Sequence, residues 1–296
     1  MKPPVFDYID PGSMVEALEA VGEYGEDGKV LAGGQSLIPL LNMRLAQPSV
    51  LIDLNRASDL SYLRQEYRDG RPGVAIGAMT RQRSVEDAGD VLQQLPMLRE
   101  AISWVGHPQI RNRGTVGGSV AHADPSAELP LLFRALDGVA TVQSRHGSRS
   151  VPAADFFLYT FTPDIQPDEL LSEIWLPLPA ARTGQAFLEV ARRHGDFALV
   201  SAAVSLTLDE HHHCAAAQIA VGGAAPTPIR TPEAEAMLIG QRPSLESFRE
   251  AGAMAAAGTE PTGDVHADAD YRREVAGVLV VRALTLAFER VPKDHS

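Results

Sequence analysis

The chain has 296 residues, of which 45% are hydrophobic and 22% charged, and its formal net charge at pH 7 is −12. This composition is typical of a globular protein with one large domain or two ordinary ones, and the acidic balance argues against nonspecific nucleic-acid binding. The single cysteine, Cys214, excludes an internal disulfide framework and an iron–sulfur cluster held by this chain alone, because such a cluster needs about four thiolates.

No apolar run approaches the length of about 18–20 residues that predicts a membrane span. The opening "MKPPVFDYID" lacks the apolar core of a signal peptide, so we expect a cytoplasmic protein. Lysine occurs only at positions 2, 29 and 293, and no GxxxxGK[ST] nucleotide loop is present.

The first half of the chain mixes strand and helix patterns. Apolar runs predict strands in "KVLAGG", "SVLIDLNRA" and "GVAIGAMT", and the spacing of leucines after Pro39 predicts a helix that starts near Ser36. Residues 91–105 are expected to form a helix that is broken or begun at Pro96, whereas the glycine- and proline-containing stretch 107–128 is expected to be rich in loops. A short helix, "LPLLFRAL", and a strand pair around "RHG" come next, and "DELLSEIWLPLP" is a strand at a plausible domain border.

The remaining 115 or so residues predict a small sheet and a helical cluster. Two strand-like runs, 198–208 and 214–222, flank a polar turn and indicate a hairpin, and helical patterns follow at 232–240, 244–257 and 271–290. The chain is therefore an α+β or mixed α/β protein of two or three lobes.

Two diglycine segments are the strongest candidates for a ligand site. In "LAGGQS" an apolar strand meets a helix through Gly33 and Gly34, a pattern typical of an anion cradle but also of a plain tight turn. "GTVGGS", with Gly117 and Gly118, repeats the pattern later in the chain. Two such segments suit the two phosphates of a dinucleotide. Neither fits GxGxxG with an acidic residue about twenty positions on, so a nicotinamide-type Rossmann unit is not supported.

Two other motifs have plainer interpretations. A third diglycine, Gly222-Gly223, ends a strand and is interpreted as a structural turn. "DEHHHC" invites a zinc hypothesis, but adjacent histidines on an extended chain point to opposite faces, so we interpret it as an exposed hairpin turn and expect no metal site.

The two glycine segments in their context resemble the FAD-binding medium subunit of the molybdenum hydroxylases, the carbon monoxide, aldehyde and xanthine dehydrogenase group. The similar stretches are "LAGGQSLIPLLNMRLAQPSVLIDL" and "HPQIRNRGTVGGSVAHADPSAELP", and the match continues through "IGAMT", "ELLSEIWLP", "RRHGDFALVSAAVSL", "GGAAPTPIR" and "DYRREVAGVLVVRAL". The resemblance implies an α+β fold: a two-lobed FAD-binding domain of the PCMH type over residues 1–178, split near 55–60, and a C-terminal domain over 179–292 with a small antiparallel sheet and a helical bundle.

The resemblance also implies cofactor-binding residues. The first pyrophosphate segment matches Ala32, Gly33, Gly34, Gln35, Ser36 and Leu37. The second matches Thr115, Val116, Gly117, Gly118 and Ser119. Further contacts with the flavin or adenine match Val105, Glu128 and Leu171. The chain departs from its relatives at Ser119, where asparagine is common, and at Glu128, where aspartate is common. Some relatives also have a flavin-side lysine near 185–200; this chain has none there, so that contact is lost or is replaced by Arg192 or Arg193.

The activity that the resemblance implies is electron transfer, with no catalytic acid or base in this chain. Electrons would pass from a large molybdopterin subunit, through the [2Fe-2S] clusters of a small subunit, to the FAD held here and then to an external acceptor, within a dimer of heterotrimers. The alternatives are a stand-alone FAD-dependent oxidase or dehydrogenase and an assembly subunit without flavin.

Overall fold

A parallel three-stranded sheet forms the amino-terminal lobe in the computed structural model, which describes residues 2–292. Its strands, in the order β1-β3-β2, are β1 (Asp7–Ile9), β2 (Gly28–Leu31) and β3 (Val50–Asp53). Helix α1 (Met14–Tyr24) precedes β2, and α2 (Leu37–Asn42) lies between β2 and β3. The predicted strands in "KVLAGG" and "SVLIDLNRA" are confirmed, and α2 begins directly after Ser36, as expected.

A five-stranded antiparallel sheet forms the second lobe. Its strands, in the order β4-β5-β10-β6-β7, are β4 (Leu63–Arg68), β5 (Arg71–Gly77), β6 (Val139–Ser144), β7 (Gly147–Pro152) and β10 (Leu170–Pro177). Between β7 and β10 in the sequence, β8 (Phe157–Tyr159) and β9 (Thr162–Pro163) form a separate two-stranded ribbon. The central strand β10 is buried along its whole length, which explains its nearly continuous apolar sequence.

Seven helices accompany the second sheet among the described residues. They are α3 (Gln82–Glu86), α4 (Gly89–Gln94), α5 (Pro96–Trp104), α6 (Pro108–Arg113), α7 (Val116–His122), α8 (Glu128–Ala135) and α9 (Ala153–Phe156). The expectation of a loop-rich stretch over 107–128 is therefore wrong. Pro108 occupies the first turn of α6, where proline is tolerated, and the Thr115 hydroxyl caps α7 by accepting the N–H of Gly118 at 3.0 Å.

The carboxy-terminal part combines a four-stranded antiparallel sheet with three helices. The strands, in chain order and in sheet order, are β11 (Thr183–Val190), β12 (Val200–Leu208), β13 (Cys214–Gly222) and β14 (Ile229–Arg230). The helices are α10 (Pro232–Leu238), α11 (Leu245–Ala257) and α12 (Ala269–Glu289). The predicted hairpin is confirmed by the antiparallel pairing of β12 with β13, and the three predicted helices are present. The fold class is α+β.

The two faces of this sheet belong to different cores. Ala202 and Val204 of β12 pack with α11 and α12, whereas Phe187 and Ala203 pack with the core of the second lobe. Because side chains alternate along a strand, β11 and β12 present every second residue to the second lobe. The seam between the two parts of the chain is therefore the face of this sheet that carries Phe187 and Ala203.

The turn between β12 and β13 contains the "DEHHHC" motif. The turn at 209–213 is closed by Asp209, whose carboxylate accepts the N–H groups of His211 and His213 at 2.8 Å each, so the hairpin-turn interpretation is confirmed. Among residues 2–292, no helix is both long enough and apolar enough to cross a bilayer.

Candidate functional site

The turn between β2 and α2 uses its two glycines for different purposes. Gly34 has φ = +74°, a conformation that favours glycine. A Cβ on Gly33 would lie 2.4 Å from the carbonyl oxygen of Arg113 and 2.7 Å from the Cα of Gly114. Gly34 therefore makes the turn, and Gly33 lets this turn touch the chain that leads into α7.

Backbone donors in this turn are free to bind a ligand. Within the described chain, the N–H groups of residues 33–37 donate no hydrogen bond, and the side chain of Gln35 folds back to donate to the carbonyl of Gly33 at 3.0 Å. Successive unpaired N–H groups at a strand-to-helix turn are the arrangement that binds phosphate oxygens.

The second glycine segment is organised differently from the first. The N–H of Val116 donates to Thr80 O at 3.0 Å, and that of Gly117 donates to Ala78 O at 2.9 Å. A Cβ on Gly117 would lie 2.4 Å from the Ala78 Cβ, so this glycine serves the packing of α7 on the end of β5. The expected second loop is thus a capped helix start whose partly exposed members are Gly118 and Ser119.

The two segments meet at one place on the surface. A Cβ on Gly118 would lie 3.2 Å from the Cβ of Ala32, next to the contact between Gly33 and Gly114. Segments far apart in sequence therefore adjoin at the surface, where the turn with the free backbone donors meets the start of α7.

A side-chain bridge that the sequence did not reveal holds these segments together. Asn55 donates to the carbonyl of Ala32 at 2.9 Å, and Arg81 donates to both the Asn55 side chain and the carbonyl of Arg113. Ala32 and Arg113 flank the two segments, so one amide and one guanidinium fix their separation. In the sequence, the one hint of this bridge is the polar pair Asn55-Arg56 after β3. Polar residues after a strand are equally typical of an ordinary turn.

Val105 and Leu171 lie in the core beneath the second segment. Both pack in the cluster that also contains Val116 and Val120 of α7. The carbonyl of Val105 accepts a hydrogen bond at 3.0 Å from the buried Arg111, which is also paired with Glu86. These two apolar residues support α7, and little of either side chain faces outward.

Glu128 lies beyond the far end of α7. It is the first residue of α8, is only 4% exposed, and follows a turn in which Ala123 adopts a left-handed conformation. Burial raises the pKa of its carboxyl to about 7.

Glu189 of β11 is a buried acid that no pattern in the sequence indicated. It is 8% exposed, and neither carboxylate oxygen has a hydrogen-bond partner among the described residues. Burial, with a smaller contribution from the charge of Glu128, raises the pKa of Glu189 to about 9. Arg192, which the resemblance offered in place of a flavin-side lysine, instead contacts His266 at 3.0 Å and Asp196 at 3.6 Å at the surface.

Replacement of Glu189 by glutamine is expected to change how stability depends on pH. The fold holds this acid neutral while the unfolded chain ionises it, so the free energy of unfolding falls as the pH rises from about 5 toward about 9, by up to about 1.4 kcal/mol per unit. The flavin-free Glu189→Gln variant should therefore exceed the wild type by at least about 1 kcal/mol at about pH 8.5 and lose that advantage near pH 5.

Urea denaturation across this pH range measures the effect. Glu210→Gln, which changes an exposed glutamate in the β12–β13 turn, is the control and should follow the wild type. Parallel pH profiles for the wild type and Glu189→Gln would contradict a buried neutral carboxyl.

Two family models cover almost the whole chain. The "FAD binding domain in molybdopterin dehydrogenase" matches residues 4–179, and the "CO dehydrogenase flavoprotein C-terminal domain" matches residues 185–287. The chain belongs to the family of FAD-binding medium subunits of the molybdenum hydroxylases.

Individual relatives agree with the family models. The chain is 43% identical to the 6-hydroxypseudooxynicotine dehydrogenase complex subunit alpha of Paenarthrobacter nicotinovorans, over 98% of this chain and 97% of that protein. It is 38% identical to the carbon monoxide dehydrogenase medium chain of Hydrogenophaga pseudoflava, over 98% and 99% of the two chains.

Solved structures extend the agreement to the fold. A carbon monoxide dehydrogenase structure from Hydrogenophaga pseudoflava superposes with a TM-score of 0.94 at 39% identity, covering 99% of this chain and 100% of that chain. Quinoline 2-oxidoreductase from Pseudomonas putida 86 superposes with a TM-score of 0.91 at 35% identity, covering 98% and 99%. The relatives named above are subunits of dehydrogenases, and this chain is an oxidoreductase subunit as well.

Proposed function

We propose that this chain holds FAD and passes electrons from the [2Fe-2S] clusters of a partner subunit to an external acceptor. The observation that carries the proposal is the junction of the two glycine segments, where free backbone N–H groups at residues 33–37 adjoin Gly118 and Ser119. FAD, when bound, accepts and releases electrons singly or in pairs, which suits it to link one-electron clusters to a two-electron acceptor.

The proposed division of binding roles follows from which groups are free. Ala32, Gly33, Gly34, Gln35, Ser36 and Leu37 would hold the diphosphate mainly through backbone donors. Gly118 would let the cofactor approach the start of α7, and the Ser119 hydroxyl would add a side-chain hydrogen bond. Thr115, Val116 and Gly117 would act by shaping this surface, because the N–H groups of Val116 and Gly117 are already bonded within the chain. Val105 and Leu171 would add apolar support, and Glu128 a polar contact farther along the cofactor.

The proposed assembly places the other redox groups on partner chains. A small iron–sulfur subunit and a large molybdopterin subunit would complete a heterotrimer, and two heterotrimers would pair. Cys214 is the single cysteine of the sequence and is buried in β13, so this chain offers no set of thiolates for a cluster. We propose the cytoplasm as its compartment, where free thiols stay reduced.

The domain division is also a proposal. Residues 1–178 would form the FAD-binding domain, with its two lobes meeting near 55–60, and residues 179–292 would form the C-terminal domain. Its support is that the parallel sheet ends with β3 at Asp53, and that Leu178 and the residues after it separate β10 from β11.

Reconstitution with FAD tests the cofactor assignment. The purified chain is incubated with FAD or with FMN, passed through a desalting column and examined by visible absorption. We expect one FAD per chain to be retained with a flavin spectrum, and FMN, which lacks the diphosphate, to be lost. A chain that retains no flavin from either incubation would contradict the proposal.

Co-expression with the neighbouring genes tests the electron-transfer assignment. We expect a tagged chain to co-purify with one subunit that contains iron and sulfide and another that contains molybdenum. A flavin that is reduced directly by an organic substrate in the isolated chain would instead indicate a stand-alone flavin enzyme.

A further inference from the structure

The seam between the second lobe and the C-terminal sheet contains polar groups that lack partners. Glu189 of β11 lies directly opposite Ser201 of β12, and the Ser201 hydroxyl is fully buried without a hydrogen bond to any described residue. Glu189 is two residues from Phe187, which packs in the core of the second lobe, so both side chains lie on the face of the sheet that meets that lobe. A carboxyl and a hydroxyl therefore point together into the seam without a partner.

No cation within the described chain neutralises this carboxyl. The charged or titratable groups on the elements packed around it include Asp124 and Glu128 beside α8, Arg134 of α8, Arg99 and Glu100 of α5, Arg272 and Arg290 of α12, and Arg192, Arg193, His194 and Asp196 of the β11–β12 turn. Arg272 is paired with Asp264 at 2.8 Å, and among all these groups only Glu128 contributes a charge effect to the pKa of Glu189. Arg290 is paired with Glu100 at 2.5 Å, and Arg192 is engaged with His266 and Asp196. Since nearly all buried polar groups in proteins have hydrogen-bond partners, two adjacent unpartnered groups need an explanation.

The position of the pair relative to the glycine junction supplies one. Helix α7 starts at that junction and has seven residues, so it is about 10 Å long, and the chain then turns into α8 at Glu128. The charge of Glu128 contributes to the raised pKa of Glu189, which places the two carboxyls near each other. A cofactor whose diphosphate lies at the start of α7 and whose chain follows that helix would bring its ring system to the acids at the far end.

We propose that Glu189 and Ser201 hydrogen-bond the flavin ring of bound FAD, and that Glu189 acts as a neutral donor which sets the reduction potential of the flavin. This inference rests on the proposed function. Two-electron reduction with uptake of one proton adds one negative charge to the flavin, and a neutral donor beside the ring stabilises that charge. An ionised carboxylate would oppose it, and reduction would then draw a second proton from solvent onto Glu189.

The elevated pKa of Glu189 fits this role. A carboxyl that burial keeps protonated up to a pKa of about 9 can donate at neutral pH. The reduction potential should therefore fall with pH at the slope of one proton per two electrons near neutrality. Above the pKa of Glu189 in the oxidised complex, the slope should double.

Spectroelectrochemical titration of the FAD-loaded chain between about pH 6.5 and 10 tests the proposal. Glu189→Gln, which keeps a donor but cannot ionise, should lack the steeper slope above the pKa of Glu189 and stay near the wild-type potential at neutral pH. Glu189→Ala should shift the relative affinity for reduced over oxidised FAD at least about tenfold toward the oxidised form. Glu210→Gln should match the wild type. Equal slopes in the wild type and Glu189→Gln over the whole range would overturn the inference.

A second measurement on the wild type guards against variants that lose FAD. The infrared difference spectrum between reduced and oxidised protein should contain a shifted C=O band of a protonated carboxyl, and its absence would also overturn the inference. Failure of the wild type to bind FAD would overturn the proposed function itself, whereas FAD binding without these signals would overturn only the role of Glu189.

Discussion

Replacement of Gly33 by valine is expected to weaken FAD binding severely while the fold is retained. A Cβ at this position would lie 2.4 Å from the Arg113 carbonyl oxygen and 2.7 Å from the Gly114 Cα, and both are backbone atoms that cannot rotate away. The turn after β2 must then separate from the start of α7, which moves the free N–H groups of residues 33–37 away from Gly118. The two large apolar clusters of the second lobe and the C-terminal part contain none of residues 33–37, so secondary structure should survive.

The dissociation constant for FAD should rise at least about 100-fold, equivalent to about 3 kcal/mol. Quenching of flavin fluorescence on titration with protein measures it, and circular dichroism monitors the fold. Gly89→Ala is the matched control, because a Cβ on Gly89 meets nothing within 4 Å and should leave the affinity unchanged. Wild-type affinity in a folded Gly33→Val variant would exclude the glycine junction as the binding site.

Replacement of Gly184 by alanine is expected to destabilise the C-terminal part more than any surface change. A Cβ on this β11 residue would lie 1.8 Å from the carbonyl oxygen of Ala287 in α12 and 2.9 Å from the backbone nitrogen of Val291. The strand and the helix would have to move apart, and the core that they share would open. We expect a loss of about 3 kcal/mol or more in the free energy of unfolding, or failure to accumulate as soluble protein.

Urea unfolding followed by circular dichroism measures this loss. Gly258→Ala provides the comparison within the same part of the chain, because the nearest atom to an added Cβ is 3.6 Å away, and its effect should stay within about 0.5 kcal/mol. Equal stabilities for the two variants would contradict the close packing of β11 on α12 at Gly184.

Local patterns predicted the elements whose structure depends on local sequence. Strand-like runs on either side of a polar turn were sufficient to place β12 and β13, and helix-like patterns were sufficient to place α11 and α12. Helices α6 and α7 were missed because glycine and proline usually interrupt helices. Here Gly117 is required in α7 by its packing against Ala78, a contact between residues that no local pattern relates.

The residues of the candidate site also fall into those that the sequence indicated and those that only the structure revealed. The diglycines at 33–34 and 117–118 were visible in the sequence because glycine identity itself signals a special backbone. The bridge from Asn55 to Arg81 and the burial of Glu189 were not visible, because each depends on which chain segments the tertiary fold brings together. An isolated glutamate in a strand is ordinarily exposed, and only its register against Ser201, on the face that meets the second lobe, reveals otherwise.

A crystal structure of the chain reconstituted with FAD tests the central claim most directly. We predict diphosphate oxygens within about 2.7–3.2 Å of backbone nitrogens among residues 33–37, with Gly118 in contact with the cofactor. A diphosphate bound elsewhere, such as in the cleft between α5 and β11 lined by Arg99 and Arg290, would contradict it.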